Sequence, residues 1–182
     1  MSSSRTEKMN QTIPNDLFAA LMAAHGDAVY KFCRSLTYSK EDADDLFQET
    51  FLSAFARLPK ISASNDPKGF LFSIALYLWK SWKRKYARRE RIAPAAPLDE
   101  TIPCDRGVED VYMAQEEIRM VRELVDALPE KFKIPIVLYY TVELRVPEIA
   151  NILKLPVGTV KSRLFKARKI IEKGLIAVGY EK

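Results

Sequence analysis

The 182 residues hold 29 Lys/Arg against 24 Asp/Glu, for a net charge of +5, and are 48% hydrophobic and 29% charged. That balance belongs to a folded chain long enough for one ordinary domain or two small ones, and six glycines are too few for a β fold built on tight turns. One histidine, His25, and two cysteines, Cys33 and Cys104, exclude a histidine pair, a multi-His metal site and a disulfide framework.

The charge is unevenly distributed. Residues 1–92 carry a net +5, residues 93–112 a net −4 and residues 113–182 a net +4. Two basic blocks around an acidic spacer suit two modules that grip one polyanion. The start of the chain, Met1 to Gln11, is polar with no apolar signal core, and no uncharged run approaches membrane-spanning length. A cytoplasmic protein without direct membrane insertion is expected. No Gly-rich phosphate loop or nucleophile elbow is present, so we expect no enzyme activity, no catalytic residue, no metal and no cofactor.

In chain order, Asp16 to Leu36 predicts a helix, with Leu17, Leu21, Ala24, Ala28 and Phe32 at three- and four-residue steps. A second helix should start at Ser39, an N-cap followed by Glu41 and Asp42. Its apolar stripe is Ala43, Leu46, Phe47, Thr50, Phe51, Ala54 and Leu58, with Pro59 as its end. The polar run Lys60 to Lys68, closing on Asn65-Asp66-Pro67, predicts a loop. A third helix, Pro67 to Arg91, starts apolar and ends strongly basic. There Trp79, Trp82 and Tyr86 form one stripe amid Lys80, Lys83, Arg84, Lys85, Arg88, Arg89 and Arg91. Aromatics interleaved with cations suit unstacked bases and their phosphates, although Trp79 and Trp82 fit a core position equally well.

Residues 93–112, with Pro94, Pro97 and Pro103, predict an extended, flexible linker. Helical spacing resumes at Tyr112 with Ile118, Val121, Leu124, Val125 and Leu128 as the inward stripe, ending at Leu128-Pro129. A helix over Glu130 to Val142 follows, in which Pro135 should bend the axis or delay the start. Two short helices, Pro147–Lys154 and Gly158–Gly174, are separated only by Leu155-Pro156-Val157. This pair predicts a helix-turn-helix, whose second helix enters the major groove. Val160, Leu164, Ala167 and Ile171 share one face, whereas Ser162, Phe165, Lys166 and Lys169 face the other way with Lys161, Arg163 and Arg168 on the flanks. Cations, a hydroxyl and an exposed aromatic suit phosphate contact and base-edge reading.

Leu128-Pro129, Glu148-Ile149-Ala150 and Val157-Gly158-Thr159-Val160-Lys161-Ser162-Arg163-Leu164 together resemble the −35 reading domain of bacterial RNA polymerase sigma factors. Asp42-Ala43-Asp44-Asp45-Leu46-Phe47-Gln48-Glu49-Thr50-Phe51 resembles the polymerase-binding helix of the same family, and the two-domain plan resembles its extracytoplasmic-function (ECF) class. The resemblance covers residues 16–92 and 113–175. It implies an all-α fold of two small helical domains, 12–92 and 113–182, joined by the linker 93–112. It also implies a transcription initiation factor whose partners are core RNA polymerase, promoter DNA and an anti-sigma factor. Carried over by position, Thr159, Lys161, Ser162, Arg163, Phe165, Lys166 and Lys169 read the −35 element. Ser62, Ser64, Asn65, Lys80, Lys83, Arg84, Lys85 and Arg88 meet the −10 element, and Asp44, Asp45, Leu46, Phe47, Gln48 and Glu49 bind polymerase. Three places depart from the family pattern. Lys154 stands where a glycine closes the first helix of the motif, and Leu144-Arg145-Val146-Pro147 replaces a Ser or Thr cap. The run Ile74 to Ser81 differs from the usual Ile-Ala-Arg-Asn.

Overall fold

A computed structural model describes residues 3–37, 39–92 and 112–179. Every regular element among them is helical. The chain divides into two compact units, Met1–Pro97 and Leu98–Lys182. The expected linker over 93–112, with its three prolines and Cys104, lies outside the described residues except for Tyr112.

The first unit contains α1 (Ser3–Leu36), α2 (Lys40–Phe55), the short α3 (Leu58–Ser62) and α4 (Pro67–Ile92). Ser39 is the N-cap of α2. Its backbone is extended (φ −101°, ψ 161°), and its Oγ accepts the Asp42 N–H at 2.9 Å, satisfying one of the donors a helix start leaves unpaired. The α2 stripe packs as its spacing requires, with Ala43, Leu46, Thr50, Phe51 and Ala54 all buried. Val29 and Phe32 of α1 and Leu71, Phe72 and Ala75 of α4 complete the core, where Phe32 and Phe72 meet edge to face at 5.3 Å.

Pro59 does not end α2. That helix stops at Phe55, and Pro59 sits in the first turn of α3. Continuing α2 would drive the proline ring into the carbonyl four residues back, whereas in a first turn the N–H that proline lacks would have had no intrahelical acceptor. Leu58 and Ile61 of α3 are buried, so the expected loop over Lys60 to Lys68 is shorter than its polarity suggests. Asp66 then caps α4, its Oδ1 accepting the Gly69 N–H at 2.8 Å.

The second unit contains α5 (Tyr112–Asp126), α6 (Glu130–Tyr140), α7 (Val146–Leu153) and α8 (Val157–Ala177). Leu138, Ile149, Val160, Leu164 and Ala167 are its innermost apolar residues. Pro135 delays nothing, since α6 starts at Glu130 with the proline wholly buried inside it. Buried Lys133 reaches Asp126 Oδ1 at 2.8 Å and ties α6 to the end of α5. Gly174 lets α5 approach α8, for a Cβ there would stand 2.5 Å from Leu124 Cδ2. The α5 stripe is covered only toward its C-terminal end. Leu128 is buried, but Ile118 and Val121 are exposed, because Leu124 already meets α8 three residues before that helix ends.

The turn between α7 and α8 carries the cost of a missing glycine. Lys154 lies in the left-handed region (φ 53°, ψ 48°) as the C-cap of α7, and the Leu155 N–H reaches back to Ala150 O at 3.0 Å. A Cβ in that region costs roughly 1–2 kcal/mol, partly offset by the smaller unfolded-state entropy of lysine. Lys154→Gly should therefore stabilise the second unit by about 0.5–1 kcal/mol, read as a higher melting temperature. A lower one would mean that the Lys154 side chain supplies contacts worth more than its backbone strain. At the other end of α7 the absent Ser/Thr cap is replaced. Glu148 Oε2 accepts the Arg145 N–H at 2.7 Å, and Pro147 occupies the first turn.

Candidate nucleic-acid and polymerase interfaces

Helix α8 presents two faces. Val160, Leu164 and Ala167 are buried and Ile171 half-buried, whereas Lys161, Ser162, Phe165, Lys166, Arg168 and Lys169 are exposed. Thr159 and Arg163 are half-buried at the edges of that outer face. Phe165 is 59% exposed. An exposed ring among cations can make apolar contact with a base edge such as a thymine methyl while its neighbours meet phosphates. Lys169 is less free than its position suggests, because its Nζ pairs with Glu172 Oε2 at 2.9 Å.

In the first unit, Lys80, Lys83, Arg84, Lys85 and Arg88 are all exposed on α4. The two tryptophans differ. Trp79 is buried and donates its indole N–H to Leu36 O at 2.9 Å, tying α4 to the end of α1, so it belongs to the core. Trp82 is half-buried and donates to Glu49 Oε2 at 3.0 Å. Lys83 sits over the Trp79 ring, 5.0 Å from its centroid. Among the residues of the expected loop over Lys60 to Lys68, Ser62 lies on α3 and donates to Pro59 O at 3.1 Å, Ser64 Oγ accepts the Asp66 N–H at 3.1 Å, and Asn65 is exposed. His25 is half-buried, and burial, then the Lys68 charge, hold its pKa below 6.5 against the opposing pull of Asp66.

On α2, Asp45 and Gln48 are exposed. Asp44 is half-buried and accepts the Tyr30 hydroxyl at 2.8 Å, a bond that raises the phenol pKa. Phe47 is half-buried against Tyr30 and Phe51, with centroids 5.6 Å and 4.8 Å away. Together with Gly26 and Asp27, the residues Tyr30, Asp44, Phe47 and Gln48 line an open groove of about 450 Å³ between α1 and α2. Leu46 is a correction. With no exposed surface it is a core residue, because its place in the apolar stripe turns it away from the carboxylates on either side. Glu49 is exposed, and one of its oxygens accepts the Trp82 indole N–H. Sequence spacing could not reveal that bond, which links residues 33 positions apart. Burial pushes the Cys33 thiol up to about 12, so it stays protonated and unreactive. Among the described residues no cluster of three His, Cys, Asp or Glu could hold a metal ion, and no helix is long and apolar enough to cross a membrane.

Residues 21–89 match the family model of sigma-70 region 2, and residues 118–171 match that of sigma-70 region 4. The chain is 30% identical over 168 residues to the ECF RNA polymerase sigma factor SigW of Bacillus subtilis, covering 88% of this chain and 89% of that protein. The chain belongs to the ECF class of bacterial RNA polymerase sigma factors. SigM, another ECF sigma factor of Bacillus subtilis, is 29% identical over 143 residues, 78% of this chain and 84% of its own. Among solved structures, CnrH in complex with the cytosolic domain of CnrY superposes with a TM-score of 0.65 at 26% identity, covering 88% of each chain. This sigma factor thus directs RNA polymerase to promoters, with region 2 serving the −10 element and region 4 the −35 element.

Proposed function

We propose that this sigma factor acts through three residue sets. The exposed face of α8 reads the −35 element through Lys161, Ser162, Arg163, Phe165, Lys166 and Thr159. The basic end of α4 and the turn over Ser62, Ser64 and Asn65 hold the opened −10 strand. Asp44, Asp45, Phe47 and Gln48 dock on core polymerase. The observation that carries the reading is the division of α8 into a buried apolar stripe and an opposite face of cations, Ser162 and an exposed Phe165. Lys169 joins this face once a phosphate displaces its exposed partner Glu172, and Glu49 holds the Trp82 indole beside the docking residues.

The working boundaries are 12–92 for the polymerase and −10 domain, 93–112 for the linker and 113–182 for the −35 domain. No bond chemistry belongs to this chain, and its place of action is the cytoplasm, beside polymerase. A solved relative is held by the cytosolic domain of a second protein, which supports an anti-sigma factor as the regulating partner here.

A promoter library scored against variants tests the α8 assignment. Ser162→Ala and Phe165→Ala should change which −35 bases are tolerated, at about 1–3 kcal/mol for a lost base contact. Lys166→Ala should lower binding on all sequences alike if its contact is a phosphate. Sequence preference that stays fixed in the Ser162 and Phe165 variants would remove this face from −35 reading.

A further inference from the structure

Arg168 lies seven residues beyond Lys161, on the same flank of α8 and roughly 10 Å further along the axis. Both residues are exposed, yet Arg168 is held from another helix. Its Nε donates to the Tyr140 hydroxyl at 2.9 Å. Its guanidinium carbon stands 5.6 Å and 5.7 Å from the ring centroids of Tyr139 and Tyr140, two rings that meet edge-on at 4.9 Å. A flexible cation is thus oriented by a pair of rings at the end of α6.

The partner's chemistry decides what such an arrangement can do. Lys169 is paired with the Glu172 carboxylate at 2.9 Å, so an incoming anion there would have to displace a carboxylate. Tyr140 is neutral, so Arg168 keeps its whole charge. Only Nε–H is used, and the terminal N–H groups remain to donate in the planar fork that matches a phosphate. The Tyr140 side chain is 56% exposed, which leaves the pair open to a ligand. Glu172 is the one acidic residue of α8 against six Lys/Arg, so the charge of that helix favours an anion.

We propose that Tyr140 is a positioning residue that holds Arg168 ready for a DNA backbone phosphate beside the −35 element. The proposal rests on α8 being the −35 reading helix. An immobilised arginine has already lost the rotamer freedom that a free one surrenders on binding, so the tyrosine raises affinity without touching a base.

The test titrates holoenzyme, assembled from core polymerase and the full chain, on promoter DNA over a range of salt concentrations, after circular dichroism has shown each variant to be folded. Arg168→Ala should reduce the salt slope by about 0.9, the value of one phosphate contact. Tyr140→Phe keeps the ring but loses the hydroxyl, and should weaken binding roughly two- to tenfold at every salt concentration with the slope unchanged. Arg168→Lys, which keeps the charge and loses the Nε donor, should behave like Tyr140→Phe. The double variant Tyr140→Phe/Arg168→Ala should bind no more weakly than Arg168→Ala alone. An unchanged slope in Arg168→Ala overturns the proposal, as does a Tyr140→Phe loss that persists without Arg168. So does a defect in core polymerase binding in place of the DNA defect, which would give the pair to a carboxylate of the enzyme. If Ser162→Ala and Phe165→Ala still alter −35 preference, only this proposal has failed; if they too are silent, the reading of α8 fails with it.

Discussion

Val160→Asp is expected to unfold the second unit while leaving the first folded. Val160 has no exposed surface and stands where α8 meets the core. Removing the side chain from that core forfeits about 1.5–3 kcal/mol of apolar burial, and an unpaired carboxylate without solvent adds a further penalty of several kcal/mol. Small domains are stable by only about 5–15 kcal/mol, and a unit of this size belongs at the low end. Limited proteolysis should degrade the second unit and spare a fragment carrying α1 to α4. Initiation that depends on the −35 element should disappear. Protection of both units would mean that the stripe through Val160, Leu164 and Ala167 is not the core it resembles. The exposed-face variants are the contrast, since Ser162→Ala and Phe165→Ala remove nothing from the interior and should leave the unit's melting temperature nearly unchanged.

The second large effect is expected at the other unit. Asp45→Arg should weaken binding to core polymerase by about tenfold or more while helical content stays the same. Asp45 is exposed on α2, so its loss costs the fold little, and reversing its charge sets like charges together if polymerase presents cations to this face. Asp45 is the cleaner choice than Glu49, because Glu49→Arg would also release the Trp82 indole and confuse docking with a change on α4. A pull-down with core polymerase reads the outcome. Undiminished binding would reduce the α2 carboxylates to a solvated helix face.

What the sequence made legible follows the range of the interaction. Local rules found the Ser39 cap, the α2 stripe and the pair α7–α8, each of which depends on residues within a few positions of one another, whereas the left-handed position at Lys154 was marked only by the glycine that the family pattern has there. The end of α2 was misplaced because Pro59 is compatible both with stopping a helix and with opening one; the burial of Leu58 and Ile61 selects the second. Leu46 was grouped with its acidic neighbours by the family resemblance, although helical spacing alone placed it in the stripe. The contacts that matter most for the candidate sites were out of reach. Trp79 to Leu36, Trp82 to Glu49 and Arg168 to Tyr140 join residues 43, 33 and 28 positions apart, and no periodicity reports a hydrogen bond between two helices. Alternation of aromatic and basic residues on α4 left the tryptophans undecided for the same reason. An indole N–H needs an acceptor when buried, but only the packing shows which acceptor it has.

Transcription from a genomic fragment library by purified core polymerase, with and without this chain, and with RNA 5′ ends sequenced, tests the promoter-directing role most directly. Start sites that appear only with the chain and share one upstream pair of −35 and −10 sequences are the predicted result. A start-site pattern indifferent to the chain, under conditions where it is folded and core polymerase is active, would contradict it.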